Sequence, residues 1–249
     1  MRWIYLSPHL DDAVFSAGGL IYEQIQAGIP VEIWTFMCGY PPGPEGDVSP
    51  FAQLLHAQWG FSSVEETIRK RREEDKSAAA ILGASITHFD FLDCIYRRGA
   101  NGEWLYFDVF APPDPEDANL PSQIAEVIST RIKSDDVLVC QLAVGSHIDH
   151  VLVRQGAELL GYPIRYDIDV PYILYHPEEL ELKSAGMKES VYSIAEIGLD
   201  PWKEAALEYK SQLVGLGEIF DTPEKVQVSI QSYWEKCRGI RLLQMQVKP

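Results

Sequence analysis

Arg2-Trp3-Ile4-Tyr5-Leu6-Ser7-Pro8-His9-Leu10-Asp11-Asp12 opens with an apolar run that reads as a strand and ends against a proline. A helical pattern follows from Ala13, with Val14, Ala17, Ile21 and Ile25 on one face and Gly18-Gly19 allowing close approach of a neighbour. A histidine and two carboxylates therefore stand on a strand-to-helix turn, beside the strand ends where open α/β sheets bind ligands. His9 and Asp12 are three residues apart across the turn and can reach one cation. Asp11, between them, can stay off the metal and accept a proton. An aspartate at this place also has an ordinary use as a helix N-cap, so this stretch alone leaves both readings open.

A second stretch has the same layout. Asp136-Val137-Leu138-Val139-Cys140-Gln141-Leu142 is strand-like, Gly145-Ser146-His147-Ile148-Asp149-His150 follows it, and Val151, Val153, Ala157, Leu159 and Leu160 carry a helical pattern onward. His147 and His150 share one side of a helical turn, and the chain has only six histidines. If the two strands are neighbours, His9, Asp12 and His150 form a set of two histidines and one carboxylate. That is a catalytic zinc pattern with an open position for water, and iron(II) binds a similar triad.

His9-Leu10-Asp11-Asp12 with His147-Ile148-Asp149-His150 resembles the paired motif of the PIG-L/LmbE-like de-N-acetylases. Arg71-Arg72-Glu73-Glu74, leading to Ala78-Ala79-Ala80-Ile81-Leu82-Gly83, and Phe91-Leu92-Asp93 are similar to the family's middle segment. Glu208-Tyr209-Lys210-Ser211-Gln212 resembles a helix of some bacterial members. The resemblance implies an α/β, Rossmann-like three-layer fold with a mostly parallel sheet and a zinc-dependent amidase acting on N-acetylated amino-sugar-containing or related small molecules. It makes His9, Asp12 and His150 the metal ligands, Asp11 the general base, and His147 the group that stabilises the oxyanion or protonates the leaving amine. Asp149 would orient a histidine from behind, and Arg71 and Asp93 would contact substrate. Two positions depart from the family pattern: Leu10 stands where proline is usual and Ala13 where glutamate is usual. Neither is a ligand or the base.

At 249 residues the chain can bury a sizeable core, and no linker divides it, so one domain over residues 1–249 is expected. Lys plus Arg number 21 against 37 Asp plus Glu, a formal charge of −16, which argues against nucleic acid or an anionic membrane as main partner. No apolar run approaches the roughly 20 residues of a membrane helix, and no secretory signal pattern opens the chain. Cys38, Cys94, Cys140 and Cys237 show no paired spacing and read as reduced thiols of a cytoplasmic protein.

Val31 to Phe36 reads as a second strand, close enough behind the first helix to favour a βαβ unit and a parallel sheet. The segment from Cys38 to Phe61 begins as a loop that either walls the site or is a plain excursion. Glu65 to Leu82 predicts a helix capped by Gly83, whose Arg69-to-Asp75 charges form a mostly solvated face. Ser85 to Leu92 predicts a strand with a packed His88, and a hairpin turns at Asn101-Gly102. Arg97 and Arg98 read as an exposed pair. Helices are expected from Ser122 to Lys133, Trp202 to Leu213 and Ser229 to Leu243. Ile164 to Asp169 and Pro171 to His176 read as strands at the far edge of the sheet, with His176 away from the site. Two other functions remain open from the sequence: a metal- or sugar-binding protein with little turnover, and a hydrolase of another amide or ester on the same metal.

Overall fold

The computed structural model describes residues 1–44 and 47–246. Its strands are β1 Trp3–Ser7, β2 Val31–Thr35, β3 Ser85–His88, β4 Val137–Gln141, β5 Ile164–Asp167, β6 Met187–Ser193 and β7 Gly239–Met245. They form one sheet in the order β3-β2-β1-β4-β5-β7-β6. The first five run parallel, β7 is antiparallel to β5, and β6 is antiparallel to β7. The helices are α1 Asp12–Gln26, α2 Pro50–Gln58, α3 Val64–Leu82, α4 Leu120–Ser129, α5 Ile148–Leu159, α6 Tyr172–Tyr175, α7 Glu179–Lys183, α8 Leu199–Ala206, α9 Lys210–Leu213 and α10 Pro223–Cys237.

The central strands are apolar on both sides because helices cover both faces; every residue of β1 is buried. Right-handed crossovers put α1 and α3 on one face as the chain steps from β1 to β2 to β3. The chain then returns past β1 to β4 and β5, which puts α4 and α5 on the other face. The reversal between β1 and β4 is a topological switch point, and the crevice outside the carboxyl ends of these strands is where such sheets take ligands. β1 and β4 are direct neighbours, with Trp3 opposite Val137 and Leu6 opposite Cys140. Both histidine-bearing turns leave the same edge of the sheet, side by side. A smaller apolar cluster of Val48, Ala52, Ile68, Ile95, Tyr96, Tyr106, Ile148 and Leu152 lies beneath the loops above that edge.

Several expectations need correction. Residues 171–176 form the short α6 and not a strand, and β5 is an inner strand, because β7 takes the place beside it. The expected helix over 229–243 ends at Cys237, and Gly239–Met245 is β7. Arg238 is left-handed with φ 54°, and a side chain at position 239 would run into the Tyr192 carbonyl of β6. The Arg-Gly pair is thus a helix stop followed by close strand pairing. The expected helix over 202–213 breaks into α8 and α9, with buried Tyr209 between them donating its hydroxyl to Asp75 at 2.7 Å. The third strand stops at His88, which is packed against Asp75 at 2.8 Å. Gly83, with φ 80°, caps α3 as expected.

α1 and α8 cross closely at Gly18 and Gly19. A Cβ at Gly18 would lie 3.0 Å from the indole nitrogen of Trp202, and one at Gly19 would lie 2.9 Å from the same ring. Trp202 is fully buried and its indole donates to the Val14 carbonyl at 2.8 Å, so the ring has nowhere to move. Glycine to alanine within a helix ordinarily stabilises by about 1 kcal/mol. Here Gly18→Ala is expected to destabilise by about 1–3 kcal/mol through overpacking, read as a lower midpoint in urea unfolding.

Candidate metal centre and active site

Ser7 shapes the first turn: its Oγ donates to the His9 carbonyl at 2.7 Å and accepts the Ala13 amide at 3.1 Å. The His9 amide donates to Asp12 Oδ2 at 2.7 Å. Asp11 stands at the N-cap position of α1, yet its side chain makes no capping hydrogen bond. The ordinary capping use of this carboxylate is therefore not realised, and Asp11 instead lines a cavity. Burial and the neighbouring Asp12 raise its pKa to about 7, against the pull of Arg71 and His9.

The second turn places His147 at the N-cap of α5, where its Nδ1 accepts the Asp149 amide at 3.2 Å. This assigns the ring proton to Nε2. Burial, together with His9 and His150, lowers its pKa well below the usual histidine value, so the imidazole is neutral.

The rings of His9, His147 and His150 cluster, with centroids 4.6 Å, 5.3 Å and 5.0 Å apart. His9 Nδ1 and His150 Nε2 each lie 3.3 Å from the same oxygen, Asp12 Oδ2. Each ring is turned by a carboxylate at its other nitrogen. Asp149 Oδ2 meets His9 Nε2 at 3.0 Å, and Asp169 Oδ1 meets His150 Nδ1 at 3.2 Å. Such pairs fix the tautomer that leaves a lone pair for a metal. His150 Nε2 is buried with no hydrogen-bond partner among the described residues, a costly state for a polar atom unless something else takes it up. A tetrahedral shell with bonds of about 2.0–2.1 Å separates neighbouring donors by roughly 3.3 Å. The spacing of each histidine nitrogen from Asp12 Oδ2 matches that value, and His9 and His150, with His147, are also grouped closely enough to hold a divalent metal.

Arg71 is buried on α3, with its guanidinium 4.8 Å from the centroid of Trp59 and its Nε without a partner among the described residues. Its Nη1 is 3.9 Å from Asp93 Oδ2, and Asp93 follows the β3 strand end and caps the Ile95 amide through Oδ1 at 3.2 Å. Asp11, Asp12, His9, His147, Arg71 and Asp93 all face one cavity of about 500 Å³, whose remaining walls are largely apolar and aromatic. α2 contributes Leu55 and the residue after it in the turn, Trp59. The 95–110 excursion adds Ile95, Val109 and Phe110, and α6 adds Tyr172 and Tyr175. The loop after β2 thus walls the site. His176 also lines the cavity, contrary to expectation. Of the Arg69-to-Asp75 run, Arg69 and Lys70 do pair with Glu73 at the surface, while Arg71 and Asp75 are buried. Arg97, expected to be exposed, is buried beside Asp149, and Arg98 alone is the surface member of that pair.

Asp169 was missed by sequence reasoning, although Asp167-Ile168-Asp169 ends a strand as the two histidine motifs do. That position was its one readable signal. Ala13, where the family pattern usually has glutamate, packs in the core; the histidines are braced by Asp149 and Asp169.

A model of the family described as PIG-L: GlcNAc-PI de-N-acetylase matches residues 4–159. A 2'-N-acetylparomamine deacetylase of Niallia circulans is 28% identical over 246 residues, covering 88% of this chain and 84% of that one. The zinc-inhibited form of a teicoplanin deacetylase is 28% identical with a TM-score of 0.83, covering 98% of this chain and 97% of that one. A deacetylase–teicoplanin complex is 27% identical with a TM-score of 0.81, over the same shares of both chains. The match over residues 4–159 takes in both histidine-bearing turns and the Arg71 helix, and by it the chain belongs to the PIG-L, GlcNAc-PI de-N-acetylase family.

Proposed function

We propose that this chain hydrolyses the amide of an N-acetylated, amino-sugar-containing small molecule at a zinc ion held by His9, Asp12 and His150. One observation carries the reading: two imidazoles, each turned by its own carboxylate, bring His9 Nδ1 and His150 Nε2 to 3.3 Å from a single oxygen of Asp12. Two nitrogens and one oxygen suit zinc, and iron(II), which takes a similar triad, is the alternative that metal analysis separates. The substrate class draws support from relatives that are deacetylases of 2'-N-acetylparomamine and bound to teicoplanin. We read residues 1–249 as one domain. No helix among the described residues is long and apolar enough to cross a membrane, and the four unpaired cysteines suit a reducing compartment such as the cytoplasm.

When bound, the ion supplies Lewis acidity to the attacking water and to the amide carbonyl. Asp11 takes a proton from that water and passes it to the leaving amine. A carboxyl group with a pKa of about 7 is poised for transfer in both directions at neutral pH. His147 donates its Nε2 proton in a hydrogen bond to the oxyanion, as a preorganised donor. Being neutral, it has no second proton for the amine, which leaves that step to Asp11. Arg71 and Asp93 hold the polar end of the substrate, and the aromatic walls exclude water from the rest. A binding protein with little turnover is the weaker reading, because binding has no use for an uncapped carboxylate tuned to about 7.

The direct test is metal content of the purified protein together with acetate release from N-acetylglucosamine conjugates. About one zinc per chain with chelator-sensitive release is expected; metal without release points to another acyl group or to binding, and no metal uptake overturns the ligand set. Asp11→Asn is expected to keep its metal and lose about 10²–10⁴-fold in kcat; full activity rejects Asp11 as the base. The base must be ionised to work, so kcat/KM in the wild type falls as pH drops through the Asp11 pKa. That acidic limb is centred at or below about 7, since an adjoining cation favours the carboxylate, and it is absent from Asp11→Asn. His150→Ala is expected to lose the metal outright. Asp169→Asn should weaken metal affinity by about 10–100-fold, measured by chelator competition; unchanged affinity would remove Asp169 from the centre.

A further inference from the structure

We infer that Arg97 is a positioning residue of the metal centre, setting the orientation of His9 through the carboxylate of Asp149. The inference rests on the metal-centre reading above. Arg97 and Arg98 are adjacent and chemically alike, and the structure gives them opposite fates. Arg98 lies over the Trp104 ring at 3.4 Å and pairs with Asp47 at the surface. Arg97 is 6% exposed, with Nη2 hydrogen-bonded to Asp149 Oδ1 and Nε 3.3 Å from Asp117 Oδ2. Tyr106 lies under its guanidinium at 5.2 Å and donates its hydroxyl to Asp117 at 2.6 Å.

Asp149 is fully buried, and its two oxygens are divided. Oδ1 takes Arg97, while Oδ2 accepts the Cys94 amide at 3.0 Å and meets His9 Nε2 at 3.0 Å. A carboxylate held at one oxygen by a guanidinium cannot swing without breaking that bond, so its other oxygen stays at Nε2 of His9. With Nε2 engaged there, Nδ1 is the nitrogen left toward Asp12 and the metal.

Stability alone gives Arg97 little reason to be here. Its Nη1 is buried with no partner among the described residues, and a buried ion pair is often no better for stability than an apolar side chain of similar volume. What the guanidinium supplies, and an apolar residue cannot, is a fixed direction for the Asp149 carboxylate. Arg97 also belongs to the excursion that contributes Ile95, Val109 and Phe110 to the cavity, so one side chain ties the substrate wall to the metal ligands.

The test is cobalt(II) affinity of the metal-free protein, followed by visible absorption and chelator competition, with thermal unfolding of each apoprotein alongside. Arg97→Met is expected to bind cobalt about 10–100-fold more weakly than wild type, with a changed cobalt spectrum. Arg97→Lys, which keeps the charge without the planar fork, should fall between the two, and the surface control Arg98→Ala should match wild type. Because Arg97 acts through Asp149, Asp149→Asn combined with Arg97→Met should lose no more than Asp149→Asn alone. Cobalt affinity in Arg97→Met within twofold of wild type, or losses that multiply in the double variant, would overturn the inference. Should Arg97→Met fail to fold, Arg97→Lys carries the same comparison, and wild-type affinity and spectrum there overturn it. A wild-type protein that takes up no cobalt or zinc would reject the metal centre itself along with this role.

Discussion

The parallel pairing of β1 with β4 is the constraint on which the rest depends. Leu6 lies opposite Cys140, and from that register the two turns leave the sheet side by side. Side chains in a strand alternate between faces, so a slip of one residue would invert every buried position of β1 and separate His9 and Asp12 from His150. Helices on both faces make such a slip expensive, since β1 is buried along its whole length. The neighbouring strand ends complete the site from either side. Asp93 arrives beyond β3 and Asp169 beyond β5, so four of the five parallel strands deliver residues from their carboxyl ends to one crevice.

Within that crevice, carboxylates of one chemical type are sorted into different tasks by their surroundings. Asp149 has Arg97 and a backbone amide, and its pKa is driven well down: burial opposes ionisation, but Arg97 and His9 outweigh it. Asp11 has burial and a like-charged neighbour in Asp12, with weaker relief from Arg71, and is held near neutrality. Asp12 is held low because, against burial, it faces His150 and His9, whose own pKa values it raises; a bound cation takes over that pairing from the ring protons. Separating the pKa values of adjacent acids is how one site obtains both a permanent anion and a proton carrier.

The loop that carries His147 is held under backbone strain. Ala143 and Ser146 have φ of 61° and 60°, and Gly145 between them has 81°. Left-handed backbone is unfavourable at residues other than glycine, and here it is fixed from outside. Lys183 Nζ donates to the Ala143 carbonyl at 2.5 Å and to Ser146 Oγ at 2.8 Å, and the Gly145 amide donates to Glu179 at 3.0 Å. The short α7 therefore clamps the turn from forty residues downstream, and the same stretch of chain supplies the aromatic side of the cavity.

Local sequence determined a good deal about this protein. The strand-turn-helix pattern at His9 and again at His147 and the Gly83 cap depend on neighbours within one turn of chain, where periodicity and backbone preference act. The α/β class follows from those repeated units. Tertiary structure decided what local pattern could not. The run 171–176 is apolar enough for strand or helix; it forms α6, and the place beside β5 is taken by β7 from the far end of the chain. Residues 229–243 hold two elements because Gly239 must pass against β6. Arg97 and Arg98 are indistinguishable in sequence, and only the Asp149 carboxylate beside one of them draws it in behind His9. Whether a carboxylate caps a helix, braces a histidine or carries a proton depends on burial and on partners scores of residues away, which is where composition and spacing lose their reach.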